Sequence, residues 1–316
     1  MRRWIYVILG ATVALLPFII QSNYWLYMFT ILGIFIILVS SLDLLYGHTG
    51  LVSLGHAAFF GIGAYSCALL QLKFGLPFLV SLFLGTILTT FLAAIIGWPM
   101  LRIRGPYFAL GTLALGTIIT IIIYNWDSLT GGVSLSGIPV LPKVQILGLS
   151  VDFSSKRSYY YIIYSSLFII VFFLHRLINS RTGRAFASIR ENQDLAQAHG
   201  INVLRYKLIS FSTASAISAI AGALYANYMG AIEPGIAGSH MSFNLLVMIV
   251  VGGAGTITGA IIGPMLLWFV PELLEAAQAY RPLFFGLLLL IVIIFMPSGI
   301  AGKVRTMGPR IARWIP

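Results

Sequence analysis

Residues 46–65 read YGHTGLVSLGHAAFFGIGAY, with two histidines, a serine, a threonine and five glycines set into a run that is otherwise apolar and aromatic. Small and polar residues need a physical reason where lipid is the solvent. Helices in hydrocarbon have little hydrophobic drive to associate, so close contact depends on small residues that let backbones approach. Gly55, Ala58, Gly61 and Ala64 or Tyr65 recur at spacings of three and four, which places them on related faces of a helix. Ser53 and His56 lie one turn apart, so both are expected to offer hydrogen bonds on one side, to a neighbouring helix or to a passing solute.

The rest of the chain confirms the solvent. Of 316 residues, 59% are hydrophobic and only 9% are charged, and the mean hydropathy is +0.98. That composition belongs to an integral membrane protein. Runs near 20 apolar residues recur, each long enough, at about 1.5 Å per residue, to cross a core of roughly 30 Å. They are continuous rather than alternating, so the fold class is an all-α polytopic membrane protein and not a β-barrel. Helices are expected at about 4–20, 26–46, 51–72, 78–100, 107–124, 159–176, 208–228 and 282–296. The first follows Arg2 and Arg3 as a signal peptide would, but no A-x-A cleavage site comes after it, so it reads as an uncleaved span. The lone cysteine, Cys67, lies within an apolar run and reads as a small buried hydrophobe.

Residues 241–275, MSFNLLVMIVVGGAGTITGAIIGPMLLWFVPELLE, are too long for one span and are interrupted at Gly252, Gly253 and Gly255. Charge settles the count. With the N-terminus cytoplasmic, 14 of the 19 lysines and arginines fall in cytoplasmic loops, as positive-inside placement favours. Keeping the basic C-terminal stretch on the same side requires an even number of spans. Residues 241–275 are then two helices or two half-helices meeting at the glycines, which makes about ten transmembrane helices in one domain, 1–316. The same placement accounts for the net charge of +11 without nucleic acid, since the basic residues are spread over loops and form no stripe with interleaved aromatics.

Two loops are long enough to carry function. The outer one, 125–158, holds turn signals in LTGGVSLSGIP, with Thr130, Gly131 and Gly132 expected at an outer mouth or gate. The inner one, 176–207, has an amphipathic first half, a break at Gly200 and both signs of charge. A helix resting on the membrane surface would be uniformly basic on its polar face. Here Glu191 and Asp194 stand beside Arg190, which favours docking on a protein.

Several chemistries are excluded. No G-x-x-x-x-G-K-[ST] occurs, so the chain carries no P-loop for ATP, and neither H-E-x-x-H nor G-x-S-x-G is present. An enzyme, a metal site and a cofactor are therefore not expected. Asp43 is the only acidic residue clearly inside a span, near its cytoplasmic end, where a proton- or sodium-driven carrier would want more.

Residues 47–65 resemble the signature of the branched-chain amino-acid permeases of bacterial ABC importers, the LivM type. LTGGVSLSGIP, RTGRAFASIRENQDLAQAHGINVLRYKLISF and VMIVVGGAGTITGAIIGP agree in order, so the resemblance covers about residues 26–298. It implies a permease subunit of about ten helices, similar to the vitamin B12 importer type, in the bacterial inner membrane with both termini cytoplasmic. It also implies a second related permease, two cytoplasmic ATP-binding subunits, and a periplasmic binding protein delivering leucine, isoleucine or valine. The inner loop then matches the ATPase-coupling region, with Arg184, Arg190, Glu191, Asp194, Ala196, Ala198 and Gly200 as its residues. Ser53, His56, Gly61 and Asn244 become candidates for the substrate path. His48 and Asp43 stand where the family usually has tyrosine and asparagine, which keeps urea or short amides open as substrates; a secondary carrier working without an ATPase is the other alternative.

Overall fold

A computed structural model describes residues 16–17, 22–139, 143–146, 149–152, 155–273, 286, 290 and 299–306. Apart from residues 16–17, 286 and 290, the expected spans at 4–20 and 282–296 lie outside the described residues. Within them the chain is helical: α1 (Asn23–Asp43, continuing as a π-helical turn over Leu44–His48), α2 (His56–Phe74), α3 (Phe78–Met100), α4 (Pro106–Asn125), the short α5 (Asp127–Thr130), α6 (Lys156–Ile178), α7 (Arg181–Glu191), α8 (Gln193–Ala198), α9 (Val203–Met229), α10 (Ser239–Gly252), α11 (Ile257–Leu273) and α12 (Gly299–Thr306). Two small antiparallel ladders accompany them. Leu135–Ser136 (β1) pairs with Ala231–Ile232 (β4), and Lys143–Ile146 (β2) pairs with Leu149–Asp152 (β3).

Six of these helices are long and apolar enough to cross a membrane, and α10 with α11 forms a further pair bent by 117°. The helix expected over 51–72 begins instead at His56, because Gly50 takes a φ of 77° and residues 50–55 run non-helically. The other expected spans move by only a few residues at their ends.

A helix that is apolar all round can sit in a protein core or against lipid, and its neighbours decide which. Every residue of α1 from Thr30 to Leu45 is buried, packed between α6, α9, α10 and α11. By contrast α3, α4 and α6 turn Phe83, Phe91, Ile118, Phe168 and Ile169 outward, the arrangement of helices that face lipid. Serine-, alanine- and glycine-rich α9 packs closely on α2 and α3, as small-residue interfaces allow.

The contacts define two ends of the bundle. At one, Arg104 in the α3–α4 loop pairs with Asp194 at 3.0 Å, and Lys207 donates to Gln193 at 2.7 Å. The π turn after α1, the α10–α11 break and Gly299 gather there as well. At the other end Lys73 donates to the Ser128 carbonyl at 2.8 Å, Ile138 N–H to the Gly230 carbonyl at 3.1 Å, and Trp25 lies 6.3 Å from Phe269.

Candidate functional site

Two of the membrane segments are not continuous helices. The chain leaves α1, runs non-helically through residues 50–55 and becomes helical only at His56. In the opposite direction it leaves α9 at Gly230, passes through β4 and a 3-10 turn over Pro234–Ala237, and becomes helical only at Ser239. Irregular backbone inside a membrane protein is tolerated where protein covers it or where it lines a cavity. Here the stretch before α10 bears on α2, with Gly61 against Ala237; the stretch before α2 bears on α4, with Gly55 against Thr112; and the two helix starts are joined by Ala57 N–H donating to Ser242 Oγ of α10 at 3.1 Å.

Hydroxyl groups on neighbouring helices satisfy two backbone N–H groups and one imidazole of the interrupted segment by one repeated device. Each spends its single proton on its own helix and offers a lone pair to the broken segment. Thr112 on α4 donates to the Ala109 carbonyl (2.8 Å) and accepts from Leu54 N–H (3.0 Å). Ser242 donates to the Gly238 carbonyl (3.4 Å) while accepting from Ala57. Ser41 on α1 donates to the Leu38 carbonyl (2.6 Å), so its 2.7 Å bond to His56 has Nε2–H as donor. The imidazole proton therefore sits on Nε2, and Nδ1 is a buried lone pair without a hydrogen-bond partner among the described residues.

The sequence-predicted path residues are brought together only in part. Ser53 and His56 are both fully buried where α2 meets α1 and α10, with Ser53 Oγ unpartnered among the described residues, and Gly61 lies further along α2 against Ala237. Ser53 and His56 do not share a helical face, because Ser53 lies in the non-helical stretch. Asn244 is half-buried and points its amide to His240 Nδ1, one turn back along α10, at 3.3 Å. Sequence reasoning missed Ser41, Thr112 and Ser242. Their only signal is a lone hydroxyl in an apolar run.

A second cluster lies where the broken segments meet the loop region. Asp43, 3% exposed, accepts Gly255 N–H at 2.7 Å, and its other oxygen is 3.4 Å from His48 Nε2. Arg190 donates to the Gly47 carbonyl. A Cβ at Gly47 would collide with Asp43 and with Gly255, so only glycine lets the two loops touch. Asp43 and His48, the two departures from the family signature, are thus neighbours.

Residues 176–207 fold compactly against one end of the bundle. Ser180 caps α7 by accepting from Thr182 and Gly183 N–H, Asn192 caps α8 through Leu195 N–H, and Asn202 caps α9 through Arg205 N–H. Ile189, Ala196 and Val203 form a small core beneath them, and Phe186 packs edge-on to Tyr206. Gly200 ends α8 at a φ of 81°. Most of the apolar face is buried inside the protein, which leaves Arg184, Glu191, Asp194, Leu195 and Ala198 exposed. Ala196 of the expected coupling set is buried.

In the outer loop, Thr130 is buried and its hydroxyl bonds the Ile123 and Trp126 carbonyls at 2.5 and 2.8 Å, locking the turn after α4. Gly131 and Gly132 follow with φ of 76° and 65°. The β1–β4 ladder then ties this loop to the irregular stretch that precedes α10. Among the described residues no group of three or more histidine, cysteine, aspartate or glutamate side chains is placed to hold a metal.

The geometry is that of a bundle with paired discontinuous helices and a folded, charged loop. Known proteins share the sequence behind it. The chain is 30% identical over 297 residues to the high-affinity branched-chain amino acid transport system permease protein LivM of Salmonella typhimurium, covering 87% of this chain and 69% of that one. The high-affinity branched-chain amino acid transport system permease protein LivH of the same organism is 30% identical over 82% of this chain and 88% of its own. A probable LivM of Methanocaldococcus jannaschii is 24% identical over 90% and 94%. No solved structure matches. A family model described as branched-chain amino acid transport system / permease component matches residues 24–297, and the chain belongs to that family of membrane permeases.

Proposed function

We propose that this chain is the membrane-spanning permease subunit of an ATP-driven importer for branched-chain amino acids, and that it performs no covalent chemistry itself. Its partners are a second related permease, two cytoplasmic ATP-binding subunits and a periplasmic binding protein that delivers the amino acid. The observation that carries this reading is the α7–α8 unit. Most of its apolar side chains are spent inside the protein, Phe186 in the main core and Ile189 and Ala196 in a small one with Val203, while Arg184, Glu191 and Asp194 stand outward around the exposed Leu195 as a mixed-charge docking surface. The absence of any P-loop means that the nucleotide chemistry belongs to what docks there.

The end that carries α7 and α8 is cytoplasmic in this reading, because it also gathers Arg102, Arg104, Arg176, Arg181 and Arg205. The 117° turn between α10 and α11 sends the chain back across the bundle, since α11 brings Phe269 beside Trp25 and Phe29 at the opposite end. Counting those two passes with the apolar segments 4–20 and 282–296 gives ten spans and two cytoplasmic termini in a bacterial inner membrane, as in permeases of the vitamin B12 importer type. The route follows the crossing of α2 and α10, with Ser53, His56 and Gly61 beside it and Asn244 on the same pair of elements. The loop containing Thr130, Gly131 and Gly132 faces the binding protein.

The test is purification of the tagged chain from its native membrane, followed by competition of labelled leucine uptake. An ATP-binding subunit should copurify, and unlabelled isoleucine and valine should compete while urea and acetamide should not. Competition by urea or acetamide, without valine, assigns the chain to the amide branch and overturns the amino-acid reading.

A further inference from the structure

Asp43 has no place in a simple path for an apolar amino acid, yet it is the most deeply buried carboxylate among the described residues. A buried carboxylate is kept where hydrogen bonds compensate its desolvation. Three segments distant in sequence meet at this one. Oδ1 accepts Gly255 N–H at 2.7 Å, which fixes the α10–α11 break to α1. One turn onward, the Gly47 carbonyl takes the guanidinium of Arg190, the penultimate residue of α7. Gly47 and Gly255 touch through their backbones, so Arg190 is joined through the π turn to both broken segments at once.

The carboxylate also faces donors that it does not hydrogen-bond. Among the described residues Ser40 Oγ, one turn back on α1, and His48 Nε2, 3.4 Å from the other carboxylate oxygen, are buried without a hydrogen bond, and both line a cavity of about 10 Å³ with Asp43, Leu174, Ile257 and Ala260. That space admits a shift by about one oxygen atom. Two alternative bonding sets for one charged group are the elements of a two-position device, because intermediate positions leave donors or acceptors unpaired.

We propose that Asp43 is a positioning residue that clamps the α10–α11 break to the docking loop. When α7 is displaced it exchanges Gly255 N–H for Ser40 O–H and His48 N–H, so movement of the loop opens the bundle beneath α2 and α10. This rests on the reading of residues 181–205 as the ATPase docking surface. Asparagine keeps an acceptor for Gly255, so the clamp needs the oxygen more than the charge.

The experiment uses the whole complex in proteoliposomes and measures substrate moved per ATP hydrolysed, a ratio that simple loss of folded protein does not change. Asp43→Ala should lower the ratio at least fivefold while the ATPase remains bound, and Asp43→Asn should keep it within twofold. Ser40→Ala, which leaves the resting clamp intact, should slow transport and ATP hydrolysis together at least threefold with normal assembly. An unchanged ratio in Asp43→Ala, whether the rates are normal or both reduced, overturns the clamp. Should that variant not assemble, Ser40→Ala decides alone, and normal rates overturn the proposal. Failure of the wild-type chain to hold an ATPase overturns the docking reading instead, before any variant is compared.

Discussion

His56 shows how little polar chemistry a buried helix start needs when each group has one partner. Its Nε2–H rests on Ser41, and the unpaired Nδ1 needs no charge to be tolerated. Replacing it with leucine removes the donor and leaves the lone pair of Ser41 facing hydrocarbon, a loss of about 1–3 kcal/mol. His56→Leu should therefore lower the melting temperature of the purified permease, and His56→Gln, which keeps a donor, should recover most of the loss. Equal melting of His56→Leu and wild type would contradict the assigned bond. At Gly61 even a methyl meets Ala237. Gly61→Leu should cost roughly 1–3 kcal/mol by overpacking and abolish uptake with normal membrane insertion. Insertion is checked by membrane fractionation, and retained uptake would show that the crossing is not near the route. Glycine at this contact was legible in the sequence, because spacings of three and four in lipid mean close helices. The non-helical state of Ser53 was not: one turn of separation from His56 reads as a shared face until Gly50 and Gly55 are seen to break the helix between the loop and His56. Ser41, Thr112 and Ser242 left no trace beyond single hydroxyls, since partners contributed by other helices have no period within their own.

Among the elements, α7 and α8 were legible because they obey soluble-protein rules. Polar and apolar residues alternate with helical period, mixed charge marks the outer face, and Gly200 marks the end. What the pattern could not show was that Ile189, Ala196 and Val203 close on one another and bury much of the loop's apolar face inside the protein. Asn192 caps the second helix, so Asn192→Ala should loosen it by about 1 kcal/mol. Gly200→Leu places a side chain at a φ of 81°, which costs L-residues roughly 1–2 kcal/mol. Both changes should reduce the amount of ATP-binding subunit retained by the purified chain, Gly200→Leu more, without altering its level in the membrane. Full retention in both would separate the folded loop from docking. The break in 241–275 was likewise readable from its glycines, whereas the 117° turn was not, because a glycine permits a bend without fixing its angle.

For the whole molecule, the distribution of charge along the sequence anticipated the two ends that the contacts define, with Arg104 and Asp194 paired at one and Lys73 and Ser128 joined at the other. The β1–β4 ladder could not be anticipated, since two-residue strands carry no pattern, yet it connects the 125–138 loop to the stretch that leads into α10. Deleting Gly131 and Gly132 should therefore weaken stimulation of ATP hydrolysis by loaded binding protein and spare the basal rate. Intact stimulation would reduce the loop to a tether. The most direct measurement is leucine uptake into proteoliposomes built with this chain alone and with its permease and ATP-binding partners, the loaded binding protein outside and ATP inside. Uptake is predicted only in the complete assembly and only with ATP. Uptake by this chain alone under an ion gradient would contradict the permease-subunit role and make it a secondary carrier.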